Sequence, residues 1–314
     1  MNILITGIAG FIGSHLAERL LQDGHQVRGI DRFSNYYSVK LKQANAQVLR
    51  EKGATIFEKD LTVDNLEEIF EGTDVVCHLA AQPGISKLVS FQEYIMHTII
   101  ATERVVEASQ KAGVKFIVNI STSSVYGAQA IGDESSEPMP VSYYGVTKLA
   151  AEQLVLSRIR KNQINGCSLR PFSVIGERER PEKLIPQVIL NLLADKPFEF
   201  YEGSNEHVRS FTYVGDIVQG SVAVLSHLES CNGQIINLGN EKTHTTEDVI
   251  AILEKLLDKK ISPTIKPSRE GDQKETRAEI GKARKLLSFN PATSLEEALK
   301  REVAWFKDNY HLYV

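Results

Sequence analysis

Hydrophobic periodicity divides the first half of the chain into two alternating patterns. Short β-branched runs at Asn2–Thr6, Gln26–Ile30, Thr55–Phe57, Val75–His78, Phe116–Ile120 and Cys167–Arg170 predict strands. Between them lie stretches whose apolar residues recur three and four apart. In Ile12–Leu21, for example, Ile12, Leu16, Ala17, Leu20 and Leu21 fall on a single helical face. Gly24 and Gly53 stand where such helices should stop, because glycine adopts the left-handed conformation that closes a helix at no steric cost. Apolar strands alternating with amphipathic helices predict an α/β fold, a doubly wound parallel sheet covered on both faces.

The regularity ends near Arg170. Pro171, Pro181, Pro186 and Pro197 punctuate the next stretch of chain, and a last helical run, Ser294–Phe306, opens behind Pro291. The expected organisation is a first domain over residues 1–170 and a smaller mixed α/β domain over 171–314, with interleaving of the two left open. The acidic, turn-rich segment Gly132–Pro140 reads as a loop.

Composition narrows the class. The 314 residues are 42% apolar and 24% charged, with 36 basic and 40 acidic side chains, an ordinary globular mix of net charge −4. That balance argues against a nucleic-acid or membrane-surface protein. No apolar run approaches the roughly 18 residues of a membrane span, and MNILITG carries no basic leader, so a cytoplasmic protein is expected. Cys77, Cys167 and Cys231 are widely spaced and predict buried free thiols. The eight histidines show no ligand spacing with each other or with cysteine, so no metal site is expected.

Two motifs carry chemistry. Gly7-Ile8-Ala9-Gly10-Phe11-Ile12-Gly13 follows the first strand and opens the first helix, the context in which glycines let a backbone approach a pyrophosphate at a helix N-terminus. Three glycines there could also serve the turn alone. Asp31 strengthens the dinucleotide reading: it ends the second strand, 18 residues beyond Gly13, where an acid binds both ribose hydroxyls and repels a 2′-phosphate. NAD is therefore expected over NADP, although Arg32 next door could tolerate a phosphate. The second motif, Tyr144-Gly145-Val146-Thr147-Lys148, sets a phenol and an ammonium one helical turn apart. A nearby cation favours the phenolate and makes tyrosine a usable base near neutral pH. Tyr143 competes, but its partner position holds Thr147, which cannot do this.

With Asp60-Leu61, Leu79-Ala80-Ala81-Gln82, Ser121-Thr122-Ser123-Ser124-Val125-Tyr126-Gly127, Arg209-Ser210-Phe211-Thr212-Tyr213 and Arg269-Glu270-Gly271-Asp272 following in order, the chain resembles the extended short-chain dehydrogenase/reductases over essentially its whole length. It is most similar to their NAD-dependent nucleotide-sugar epimerases. The resemblance implies a Rossmann-type first domain and a nucleotide-sugar-binding second one. It implies Thr122, Tyr144 and Lys148 as the catalytic set. For the cofactor it implies Gly7, Gly10, Phe11, Ile12, Gly13, Asp31, Asn35, Asp60, Leu61, Ala80 and Ala81, together with Tyr144 and Lys148. Ser123, Ser124, Ser173, Arg180, Arg209, Arg269 and Asp272 would meet the substrate, with the two arginines Arg209 and Arg269 on its diphosphate. The chain departs from the family pattern at Thr98 and Ser173, where asparagine is usual, and at Ser210, where aspartate is. An extra residue in Tyr201–Arg209 leaves Phe200 and Tyr201 both candidates for stacking on the base.

Related dehydratases carry an Asp-Glu pair after the catalytic threonine, and related decarboxylases a glutamate at the place of Ser124. Ser123-Ser124 supplies neither, which favours epimerisation at C4 through a transient 4-keto sugar. Gly176-Glu177-Arg178-Glu179-Arg180-Pro181 resembles a segment of UDP-glucuronate 4-epimerases in which the second arginine pairs with the sugar carboxylate, which would be Arg180. The competing reading is a solvated charged loop and a neutral UDP-hexose substrate; UDP-glucuronate decarboxylation and a non-catalytic NAD-binding regulator are further alternatives. The stretches around 91–112 and 142–163 resemble the helix pair of the family's dimer interface, so a homodimer is expected.

Overall fold

A computed structural model describes residues 1–86, 88–267 and 274–313. Every strand expected in the first half is present, within two residues of its predicted ends: Asn2–Thr6, Gln26–Asp31, Thr55–Glu58, Val75–His78, Phe116–Ile120 and Gly166–Pro171. They pair in parallel, and a strand from the second half, Ile235–Leu238, completes a sheet of seven by pairing with Gly166–Pro171. Residues on both sides of position 170 therefore build the large sheet.

Strand alternation sends successive side chains to opposite faces. Ile3, Ile5, Val75, Cys77 and Val118 join one apolar cluster, packed under the helices Phe11–Gln22 and Val214–Ala223. Leu4, Val76 and Ile117 join a second, under Ala101–Lys111 and Tyr143–Arg160. A third cluster lies apart, between the helices Leu184–Leu193, Thr246–Leu257 and Leu295–Asn309. Cys77, Cys167 and Cys231 are buried and unpaired.

The strand Asn2–Thr6 lies between Gln26–Asp31 on one side and Val75–His78 on the other, so the strand order reverses there. Parallel sheets open a crevice at the carboxyl ends of such strands. Small sheets from the second half face it, among them the parallel pairs Val174–Ile175 with Thr212–Tyr213 and Phe198–Tyr201 with Pro263–Lys266.

Candidate active site

The crevice opens into a cleft of about 620 Å³ lined by both halves of the chain. Its floor is the glycine turn. Gly7 has a φ of +73°, and a Cβ there would stand 3.0 Å from the Ala80 amide nitrogen, so the two strand ends can approach only with glycine. A Cβ on Gly13 would stand 2.2 Å from the Gly7 carbonyl oxygen, which lets the helix Phe11–Gln22 start directly on the turn. That helix has no side-chain cap and no acid in its first turn, so its N-terminal amides face the cleft as an anion site. This arrangement fits the pyrophosphate of a dinucleotide.

Asp31 accepts hydrogen bonds from the backbone N–H of Ala9, at 3.1 Å, and of Phe33, at 2.9 Å. Burial raises its pKa, against the pull of those amides, Lys42 and Arg32. Arg32 is turned toward Asp60, at 3.5 Å, and His97, at 3.0 Å, so its guanidinium is already engaged. The carboxylate at the strand end thus fits NAD better than NADP. Under the turn, Thr6 Oγ1 accepts from the amides of Leu79 and Ala80 and contacts His78 Nδ1 at 2.7 Å. His78 Nε2 in turn meets Thr102 Oγ1 at 2.9 Å. Burial holds His78 near pKa 3, so this histidine is a neutral packing element.

Gly10, Phe11, Ile12, Asp60, Leu61, Ala80 and Ala81 line the same cleft, as do Thr122, Ser123, Ser124, Tyr144, Lys148, Ser173, Arg180 and Arg209. Asn35 does not; it lines an adjoining recess beside Arg32, Lys59 and Asp60. Arg269 and Asp272 fall outside the described residues. Phe200 and Tyr201 both reach the cleft.

Local sequence explains how the reactive groups meet. Ser142 caps the helix Tyr143–Arg160 by accepting from the Gly145 amide at 3.1 Å, which fixes Tyr144 in the first turn. A Cβ on Gly145 would lie 2.7 Å from the Ser124 carbonyl oxygen, so only glycine lets this helix sit against the Thr122–Ser124 segment. Thr122 caps the short turn after it and hydrogen-bonds Tyr144. One helical turn beyond Lys148, Glu152 is buried and takes two bonds from Arg170, at 3.0 and 2.6 Å, which pin the helix to the sheet. The sequence reading missed Glu152, although the spacing Tyr144, Lys148, Glu152 would have revealed it.

The electrostatics differ from the sequence expectation. Burial raises the Tyr144 pKa, and the opposing contributions come from the Thr122 hydrogen bond and the positive charge of Arg180. Lys148 donates instead to the Ile120 carbonyl oxygen, and burial draws its own pKa down to about 8. The segment Glu177–Glu182 is not a solvated loop either. Arg178 pairs with Glu18 of the first helix at 2.7 Å, and Glu179 is fully buried. Arg180 packs its guanidinium on the Gly84 backbone and pairs with Glu182 at 2.6 Å. The partners Glu18 and Glu182 went unnoticed in the sequence.

Comparison with known proteins agrees with this geometry. The chain is 38% identical over 318 residues to the uncharacterized UDP-glucose epimerase YtcB of Bacillus subtilis, covering 99% of both. It is 35% identical over 317 residues to the UDP-glucuronate 4-epimerase of Thermodesulfobacterium geofontis, covering 98% of this chain and 97% of that one. The crystal structure of UDP-glucuronic acid 4-epimerase from Bacillus cereus in complex with UDP-glucuronic acid and NAD superposes with a TM-score of 0.94 at 36% identity, over 98% of this chain and 99% of that one. Residues 3–239 match the model of the NAD dependent epimerase/dehydratase family, and the chain belongs to that family.

Proposed function

We propose that the protein epimerises UDP-glucuronate to UDP-galacturonate at C4 with NAD as a resident cofactor. The observation that carries the substrate is Arg180. Its guanidinium lines the cleft with little exposure, close enough to Tyr144 to influence that phenol's proton affinity. A planar guanidinium there suits a sugar carboxylate in bidentate geometry. The UDP-glucuronate 4-epimerases among the similar proteins support the same substrate, while the YtcB relative carries a UDP-glucose name.

In this reading the glycine turn, the uncapped helix and Asp31 hold the dinucleotide, and Tyr144 and Lys148 meet its nicotinamide ribose. NAD, when bound, supplies a hydride acceptor that returns the hydride to the opposite face of the same carbon. Tyr144 receives the proton of the C4 hydroxyl and later returns it. Thr122, hydrogen-bonded to Tyr144, orients that hydroxyl, and Arg180 is the positive charge that favours the phenolate, with Lys148 held on the Ile120 carbonyl one turn away. Arg209 and Arg269 bind the diphosphate, and Asp272 the ribose. Ser123, Ser124 and Ser173 contact the sugar. Ser124 offers no carboxylate beside the reacting centre, in keeping with epimerisation and against decarboxylation.

One observation favours a second reading. Arg180 already shares its charge with Glu182, and an arginine so compensated could serve a neutral UDP-hexose. Incubating the purified protein with UDP-glucuronate and UDP-glucose, and following products by proton NMR, separates the two. UDP-galacturonate is the expected product; UDP-galactose alone would establish the hexose reading, and UDP-pentose a decarboxylase.

The same reading makes the protein a cytoplasmic homodimer. Buried free thiols suit a reducing compartment, and among the described residues no helix is long and apolar enough to cross a membrane. Phe91, Met96, Ile100, Tyr143 and Val146 are exposed on the helical segments 91–111 and 143–160 and supply an apolar face for a second copy.

A further inference from the structure

The segment that carries Arg180 is held by groups with no part in the chemistry above. From Gly176 to Lys183 the chain forms a strap. Tyr213 donates its hydroxyl to Glu177 at 3.1 Å, and Arg178, at a φ of +66°, reaches Glu18. Between the two arginines, Glu179 points away from solvent with 0% exposure. It meets Glu302, also 0% exposed, from the C-terminal helix Leu295–Asn309. Lys183 pairs with Glu179, and Tyr313 donates to the Glu179 backbone carbonyl oxygen at 2.9 Å.

Two buried carboxylates in contact cannot both be ionised. Apart from the Lys183 ammonium beside Glu179, none of their four oxygens finds a donor among the described residues. A single proton relieves the repulsion: neutral Glu302 donates its O–H to Glu179, Lys183 sits on the other Glu179 oxygen, and of the four oxygens only the Glu302 carbonyl is left without a donor among the described residues. Burial and the neighbouring Glu179 and Glu177 keep Glu302 protonated far above the ordinary carboxyl range, while Lys183 opposes them. The strap is thereby fastened one residue before the guanidinium that faces the sugar.

We propose that Glu302 is a positioning residue for substrate recognition: through the proton it shares with Glu179, the C-terminal helix sets the place of Arg180 in the cleft. The inference rests on the reading that Arg180 holds the glucuronate carboxylate.

Glu302→Gln keeps a neutral donor of the same shape, whereas Glu302→Ala removes it. A displacement of about 1 Å at a recognising group can cost up to ~100-fold, so Glu302→Ala should raise the KM for UDP-glucuronate by roughly 10- to 100-fold. The Kd values for UDP and for NAD should stay within about twofold of wild type, and Glu302→Gln should restore the KM to within about threefold. Tyr313→Phe tests the same strap without opening a cavity. Losing one hydrogen bond there should raise the KM about two- to fivefold. Equal weakening of UDP, NAD and UDP-glucuronate would make Glu302 merely structural and overturn the inference. So would an unchanged KM in both Glu302→Ala and Tyr313→Phe, or a failure of Glu302→Gln to rescue. A wild-type protein that turns over UDP-glucose but not UDP-glucuronate would remove the substrate reading and this inference together.

Discussion

Replacing Arg180 by alanine isolates the recognition of the sugar carboxylate. The side chain is 14% exposed, so a carboxylate brought against it is paired in a largely dry setting. Truncating one member of such a pair costs about 2–5 kcal/mol. Glu182 already occupies one edge of the guanidinium, and its own side chain is 36% exposed, so water screens that pairing and Arg180 keeps only part of its charge for the substrate. The low end of the range therefore applies, ~2–3 kcal/mol, or about a 30- to 150-fold loss of kcat/KM for UDP-glucuronate. Affinity for UDP, measured by calorimetry, should not change, because the diphosphate is assigned to Arg209 and Arg269. Arg180→Lys should fall between, at roughly a tenfold loss, since an ammonium keeps the charge but not the bidentate fork. A loss under about threefold in Arg180→Ala, or an equal loss for UDP and UDP-glucuronate, would refute the carboxylate assignment.

Tyr144→Phe should lower kcat by at least ~10²- to 10⁴-fold with UDP affinity intact; activity within about tenfold of wild type would place the base elsewhere. Lys148 is a buried cation whose pKa falls to about 8, while an unfolded lysine keeps its proton to about 10.4. Between those values the unfolded chain binds more protons, so this group's contribution to stability rises with pH and its cost is full below pH ~8. Lys148→Met should therefore abolish turnover yet raise Tm at pH 7, the gain over wild type shrinking as pH approaches 10; a lower Tm at pH 7 would contradict this. Arg178→Ala should leave Glu18 with Lys52 alone and lower the stability by about 1–3 kcal/mol in urea unfolding, with an unchanged midpoint as the contrary result. During turnover of UDP-glucuronate no reduced nicotinamide should accumulate and little UDP-pentose should form, both readable in one reaction by absorbance and NMR.

The strands of the first half were legible because parallel strands buried on both faces read as continuous apolar runs. Ile235–Leu238 escaped notice: its four residues carry an asparagine, and its place beside Gly166–Pro171 is decided by pairing across a long sequence interval. The glycine turn and the Tyr144–Lys148 spacing are local and were visible at once. The environment of the pair was not, because burial of Tyr144 and the backbone bond of Lys148 depend on elements far apart in the chain. The partners of the charged strap were hidden for the same reason. Alternating glutamate and arginine suggest a solvated face, and only the fold brings Glu18 and Glu302 to Arg178 and Glu179.

One wall of the cleft includes His97, from Ile95–Ile100, which winds as a π-helix between two α-helical stretches. Thr98 within it is fully buried and accepts from the Gln82 amide at 3.3 Å, while Met96 and Ile100 point outward. A π-turn holds one more residue than the α-turn it interrupts. Excising one residue from Ile95–Ile100 would thus let the helix close regularly rather than break it, and the fold could survive. Because either kind of turn completes one circuit, the α-helical stretches on its two sides would keep their faces, and only the residues within the turn would change direction. Thr98, which lies inside the turn, would lose its aim at the Gln82 amide, while the apolar positions of the following helix would stay where they are. The supernumerary residue thus serves the cleft wall alone: a chain shortened there would give up the Thr98 support of Gln82 and keep the seating of the helices on either side.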